Sequence, residues 1–245
     1  MTHLSDFKAL SFDCYGTLID WEGGLLAAAA GLIARTGAVV SAGHALEDFA
    51  RHESALEAAE PSLNYRALLA EVYLRLAKDW AVTATRQEAE LFGKSVADWP
   101  VFADSVQALA YLKRHYKLVI LSNVDRASFA ASNRKLGVEF DLVCTAEDIG
   151  SYKPDPRNFE FMLRRVQGDL GLGKTNILHT AQSLFHDHRP ATQLGLKTAW
   201  IDRRQGKTGG GATMAVAEAV KTDFMFPSLA AMAGAHQAEM ARRSG

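Results

Sequence analysis

The sequence predicts an α/β protein: a parallel sheet of at least five strands with helices on both faces, and a helical subdomain inserted after the first strand. Three observations predict it. Five short apolar runs rich in β-branched residues recur along the chain, as buried strands do. Helical periodicity separates most of them, and that alternation implies parallel pairing. One gap, residues 14–117, is far longer than a crossover needs and reads as helix for most of its length.

Taken in order, Ala9–Asp13 is the first strand. The gap holds four helical patterns, Gly24–Arg35, His44–Glu60, Leu63–Trp80 and Thr85–Lys94. Pro61 breaks the second from the third, and Pro100 marks the return to the core. Helix Ser105–His115 leads to strand Leu118–Ser122, and helix Arg126–Leu136 to strand Leu142–Thr145. Helix Pro156–Val166 precedes strand Ile177–Thr180, and Thr198–Ile201 is the fifth strand. The tail beyond Arg203 is glycine-rich at Gly209–Gly211 and then weakly helical. This organisation divides the chain into a core of residues 1–20 and 99–245 and an insert of residues 21–98 lying over the sheet's carboxyl edge.

Composition limits the functions. With 245 residues and 48% of them hydrophobic, one large α/β core is affordable. A net charge of −1 without a long basic run argues against nucleic acid or an anionic membrane as partner. Residues Met1–Ser11 do not read as a signal peptide, and no apolar run is long enough to span a bilayer. The expectation is a cytoplasmic protein. Cys14 and Cys144 each sit in an apparent strand and read as small buried residues, not a disulfide.

Polar residues gather at the strand ends. Asp13 ends the first strand, Ser122-Asn123 the second; Lys153 follows the third and Asp187 the fourth. Any one of them is an ordinary cap or surface residue. Four on one edge, where ligands bind in such sheets, read as a site.

The stretches "FDCYGTLID", "LSNVDR" and "YKPDP", with the Asp after strand four, resemble motifs one to four of the haloacid dehalogenase superfamily, and the likeness spans nearly the whole chain. It implies a Rossmann-like core, a helical cap between motifs one and two, and Asp13 as nucleophile. Phosphatases of that superfamily carry a second Asp two residues on, a general acid; here Tyr15 stands there, and a phenol is too weak an acid at neutral pH. Asp13-Cys14-Tyr15-Gly16-Thr17 instead resembles the 2-haloacid dehalogenases. Gln182 also replaces the acid that binds Mg²⁺ in the phosphatases, and a hard cation wants several anionic oxygens. The resemblance therefore implies a cofactor-free hydrolase. Asp13 would displace halide from a small 2-halocarboxylate and form an ester that water then hydrolyses.

The same resemblance implies the remaining roles. Lys153, Ser122, Thr17 and the backbone amides near Cys14 and Tyr15 would meet Asp13 and the substrate carboxylate, while Asn123 and a cap arginine, best matched by Arg51, would cradle the halide. Water activation is left to Asp187, and three histidines within ten residues, His179, His186 and His188, read from this sequence itself as its candidate helpers. Two positions depart from the pattern: Leu184 and Phe159 stand where the dehalogenases carry Asn and Tyr. Dimers are common in that family, so a homodimer through the cap is one expectation. Two alternatives stay open, a Mg²⁺-dependent phosphatase and a catalytically idle binding protein; the intact Asp13, Ser122, Lys153 and Asp187 argue against the second.

Two glycine-lysine stretches mimic phosphate loops. Gly168–Thr175 fits the spacing but follows a helix and opens a strand, so its amides cannot gather at a helix N-terminus. Gly206–Thr213 has the same poor context and reads as a loop.

Overall fold

The computed structural model describes residues 2–205, 211–214, 216 and 219–244. Among the described residues six strands form one sheet, in the order β3-β2-β1-β4-β5-β6. They are β1 (Ala9–Phe12), β2 (Lys117–Ser122), β3 (Leu142–Thr145), β4 (Ile177–Ala181), β5 (Lys197–Ile201) and β6 (Phe224–Phe226), and every pairing is parallel. Alternate residues of a strand face opposite sides, and here each side meets its own apolar cluster. Leu118 and Ile120 face α5 (Ser105–Leu112), α6 (Arg126–Leu136) and α10 (Leu229–Ser244) through residues such as Leu109, Phe129 and Met232. Val119 and Leu121 face α8 (Pro156–Leu170) through Phe159, Met162 and Val166. Both faces are covered, which is why the strands read as continuous apolar runs.

Between β1 and β2 the chain runs through α1 (Trp21–Ala34), α2 (Ala42–Ala59), α3 (Tyr65–Asp79) and α4 (Arg86–Lys94). Side-chain caps fix where these begin: Asp20 accepts the Gly23 N–H, Ser41 that of His44, Asn64 that of Arg66 and Thr85 that of Glu88. Asn64 explains why α3 starts two residues later than its apolar pattern suggests. The insert's interior, including Phe49, Leu56, Leu69 and Phe92, is continuous with the core cluster. Gly24 is required where α1 crosses Trp99, since a Cβ there would lie 2.4 Å from the indole. The chain leaves and re-enters the core side by side: Asp20 donates its N–H to the Pro100 carbonyl, and Phe102 donates to that of Leu18.

The sixth strand escaped the sequence reading because it has three residues and no fully buried position. The tail's helix, α10, is longer and better packed than its weak pattern suggested, with Leu229 and Met232 in the core. Gly168–Thr175 spans the end of α8 and a 3₁₀ turn into β4, so it opens no helix. Residues 206–210 of the second glycine-lysine stretch, and Gly209 and Gly210 with them, lie outside the described residues. Cys14 and Cys144 are free and buried.

Candidate active site

The chain lays β1, β2 and β3 outward, then returns to place β4 on the other side of β1. That reversal leaves a crevice at the carboxyl ends of β1 and β4. Asp13 follows β1 directly, 6% exposed, at the floor of a cavity of about 40 Å³. The turn after it is tight. Cys14 O accepts the N–H groups of Leu18 and Ile19, and Gly16 takes φ +90°, a conformation open to glycine.

Both carboxylate oxygens of Asp13 are engaged. Lys153 Nζ lies 2.9 Å from Oδ1, and the Thr17 hydroxyl donates to Oδ2 at 2.7 Å. Lys153 also donates to Asp187 Oδ1 at 2.7 Å and to the Leu121 carbonyl at 2.9 Å. Its three N–H bonds are thus all used within a site where the lysine is 1% exposed. Despite this contact, the net effect of the surroundings on Asp13 is upward. Burial pushes the Asp13 carboxyl above its ordinary range, Lys153 pulls it down, and Asp187 pushes it up again. Burial acts on Asp187 too, yet there the Lys153 charge and the His179 hydrogen bond prevail and hold it well below that range.

A short π-helical turn, Leu184–His188, carries Asp187; the N–H groups of Asp187 and His188 both reach the Ser183 carbonyl. Such turns are rare and frequent at functional sites. His179 donates from Nε2 to Asp187 at 3.0 Å and meets the Ser11 hydroxyl at Nδ1. His188 bonds the Ala181 carbonyl, and burial depresses it to about 4. Of the three histidines, His186 alone lines the cavity.

The cavity joins Asp13, Tyr15, Ser122, Asn123, Lys153 and Asp187. Thr17 sits behind Asp13, bridging it to the Gln182 N–H. The Cys14 side chain packs in the apolar core. The Tyr15 hydroxyl is bonded to Ser132 at 2.8 Å, and its ring meets Trp99 edge-on. The Ser122 hydroxyl is buried without a hydrogen-bond partner.

Two expectations need correction. Arg51 does not reach the cavity: its guanidinium pairs with Asp48 and Asp79, each at 2.8 Å, with the side chain 53% exposed. Its position on α2 turns it toward the end of α3. Asn123 lines the cavity, but both its amide hydrogens are engaged, on Glu57 Oε1 at 3.0 Å and on the Lys153 carbonyl at 2.9 Å. It therefore has no free N–H for a halide in this conformation.

The sequence reading missed what faces Asp13 from the insert. Glu53 and Glu57, one turn apart on the buried face of α2, line the cavity with Tyr65. Tyr65 donates to Glu53 at 2.8 Å. Burial raises Glu53 to about 8 against that hydrogen bond, and burial with Glu53 raises Glu57 well above its ordinary range. The signal was present: two carboxyls share an apolar stripe with Phe49 and Leu56. Among the described residues lining the cavity, Lys153 is the single cation.

A family model of haloacid dehalogenase-like hydrolases matches residues 7–179, so the chain belongs to that family. An (S)-2-haloacid dehalogenase of Pseudomonas putida is 30% identical over 108 residues, which is 43% of this chain and 45% of that protein. The chain thus matches less than half the length of this curated relative. The solved L-2-haloacid dehalogenase from Xanthobacter autotrophicus is similar with a TM-score of 0.73 at 20% identity, over 93% of this chain and 97% of that one. A Bacillus subtilis HAD-hydrolase bound to magnesium gives 0.72 at 15%, over 94% and 99%. These likenesses share one fold, and at such identities they speak for the fold alone. Among the described residues, no helix is long and apolar enough to cross a membrane.

Proposed function

We propose that the chain is a metal-independent hydrolase that displaces halide from a short 2-haloalkanoic acid through an ester on Asp13. The observation that carries this is the setting of Asp13: a buried carboxylate between Lys153 and Thr17, with Tyr15 two residues on and its hydroxyl held by Ser132. A buried carboxylate is stripped of water and more basic than usual, hence a stronger nucleophile once ionised. A halide leaves without a proton, so the missing acid at position 15 costs this reaction nothing.

In the first step an Asp13 oxygen attacks the α-carbon with inversion, and the halide departs with the bonding electrons. Water then adds to the ester carbonyl as Asp187 takes one of its protons; the acyl C–O bond breaks, the departing oxygen takes the second proton, and the 2-hydroxy acid leaves with Asp13 restored as a carboxylate. The donor on the Asp13 oxygen that does not attack, Lys153 at Oδ1 or Thr17 at Oδ2, stands where the tetrahedral oxyanion forms. The free Ser122 hydroxyl offers a donor to the substrate carboxylate. Magnesium does not fit this donor set. Lys153 already bridges Asp13 and Asp187, Thr17 takes the other Asp13 oxygen, and Tyr15 and Gln182 stand where acids would be needed.

The test is halide release from L-2-chloropropionate, chloroacetate and fluoroacetate in EDTA, beside p-nitrophenyl phosphate hydrolysis with Mg²⁺. Halide release in EDTA is expected. Phosphate release that needs Mg²⁺, with no halide release, would replace this reading by the phosphatase.

A further inference from the structure

We infer that Glu57 and His186 form the seat of the departing halide, and that this seat suits fluoride better than the heavier halides. The inference rests on the haloacid reading above. Glu57 Oε2 and His186 Nε2 face each other at 3.6 Å. Both atoms are buried, neither has a hydrogen-bond partner, and both residues line the cavity that holds Asp13. The two residues are 6% and 8% exposed. A pair of buried polar atoms left unpaired is costly unless a ligand satisfies them.

Both atoms are assigned as donors from their surroundings. Ser183 Oγ already accepts the His186 backbone N–H at 2.9 Å, and it stands 3.3 Å from the ring's Nδ1. We take the hydroxyl hydrogen as donated to Nδ1, the tautomer that leaves the ring proton on Nε2. Among the described residues no Lys or Arg bonds Glu57, and burial with Glu53 outweighs the Lys153 charge that acts on it. Lys153 has spent its three N–H bonds, Arg51 is turned away, and Glu53 with its Tyr65 partner, Tyr152 and the neutral ring of His186 supply no positive charge there. A buried unpaired carboxyl keeps its proton. Glu57 Oε1 accepts the Asn123 N–H, so the proton sits on Oε2. An O–H and an N–H thus converge on one point without an acceptor.

A small anion about 2.7 Å from each donor closes a triangle over the 3.6 Å gap. Fluoride, the hardest and smallest halide, gains most from two such bonds. In the step itself, the C–O bond to Asp13 forms as the C–F bond breaks. Both bonding electrons leave with fluoride, while Glu57 and His186 keep their protons and donate hydrogen bonds. The seat stands in for Arg51 and Asn123, whose groups are committed elsewhere.

The experiment compares fluoride release from fluoroacetate with bromide release from bromoacetate in wild type, Glu57→Ala, Glu57→Gln and His186→Phe. Loss of one such donor is worth about 100-fold. Glu57→Ala and His186→Phe should lose that much on fluoroacetate and less than about 10-fold on bromoacetate. Glu57→Gln, whose amide still donates, should keep more than about a tenth of the fluoride rate. Should Glu57→Ala fold poorly, His186→Phe carries the same comparison. Equal losses on both substrates would overturn the seat alone. So would a Glu57→Gln enzyme that releases halide normally and then stalls as the ester, because Glu57 would be the base for water. Wild type that releases neither halide overturns the haloacid reading and the seat together.

Discussion

Lys153 serves two carboxylates at once, and that makes it the most consequential single side chain in the site. Lys153→Met leaves Asp13 and Asp187 buried without a cation, which should cost about 3–5 kcal/mol at pH 7. The cost should shrink at pH 5, because the orphaned carboxyls then take up protons. Urea unfolding at the two pH values measures both, and equal losses would mean the ammonium contributes packing alone. Asp187 is held well below the usual carboxylate range, so it is a weak base for water. Ester hydrolysis should therefore be the slow step. In Asp187→Asn the ester should accumulate and be visible by mass; a halt in halide release itself would place Asp187 in the first step. The residues in these arguments were legible in the sequence because each lies at a strand end within a few positions of a motif. Ser122 and Asn123 were legible as neighbours of Asp13, but Asn123's partner Glu57 was not, since 66 residues separate the two.

Helix α2 shows where that legibility ended. A sequence pattern tells which residues share a helix face, but not how the helix is rotated over a distant site. Arg51 was expected to cradle the halide; the helix instead turns Glu53 and Glu57 to the cavity and leaves Arg51 to Asp48 and Asp79. Arg51→Ala should keep halide release within about twofold, as exposed ion pairs contribute little; a loss of hundredfold would restore it to the site. The buried carboxyls also make a prediction about stability. Glu53 holds its proton in the fold up to about pH 8 and loses it near pH 4.5 in the unfolded chain. Between those values the fold binds more protons, so stability should fall as pH rises, by up to about 1.4 kcal/mol per pH unit for that group. Glu53→Gln should flatten the slope, read from denaturation midpoints between pH 5 and 8. An unchanged slope would mean that Glu53 is ionised in the fold. The strands were better read than this helix, because continuous apolar runs report burial on both faces without reference to partners. β6 was the exception, being short and half-covered.

For the whole molecule, the reversal of strand order beside β1 and the long insert act together. The sheet edge supplies Asp13, Ser122, Lys153 and Asp187, and α2 and α3 roof them with Glu53, Glu57 and Tyr65. The fold and the position of Asp13 were readable because topology alone puts strand ends together. The roof was not, because it depends on how the insert docks. The central claim is that the covalent bond forms on Asp13. A single turnover of a 2-chloroacid in H₂¹⁸O, with enzyme in excess, tests it most directly. The account predicts an unlabelled product hydroxyl and one ¹⁸O in the Asp13-bearing peptide. Label in the product hydroxyl and none in Asp13 would mean that water attacks the α-carbon itself, and the account would be wrong.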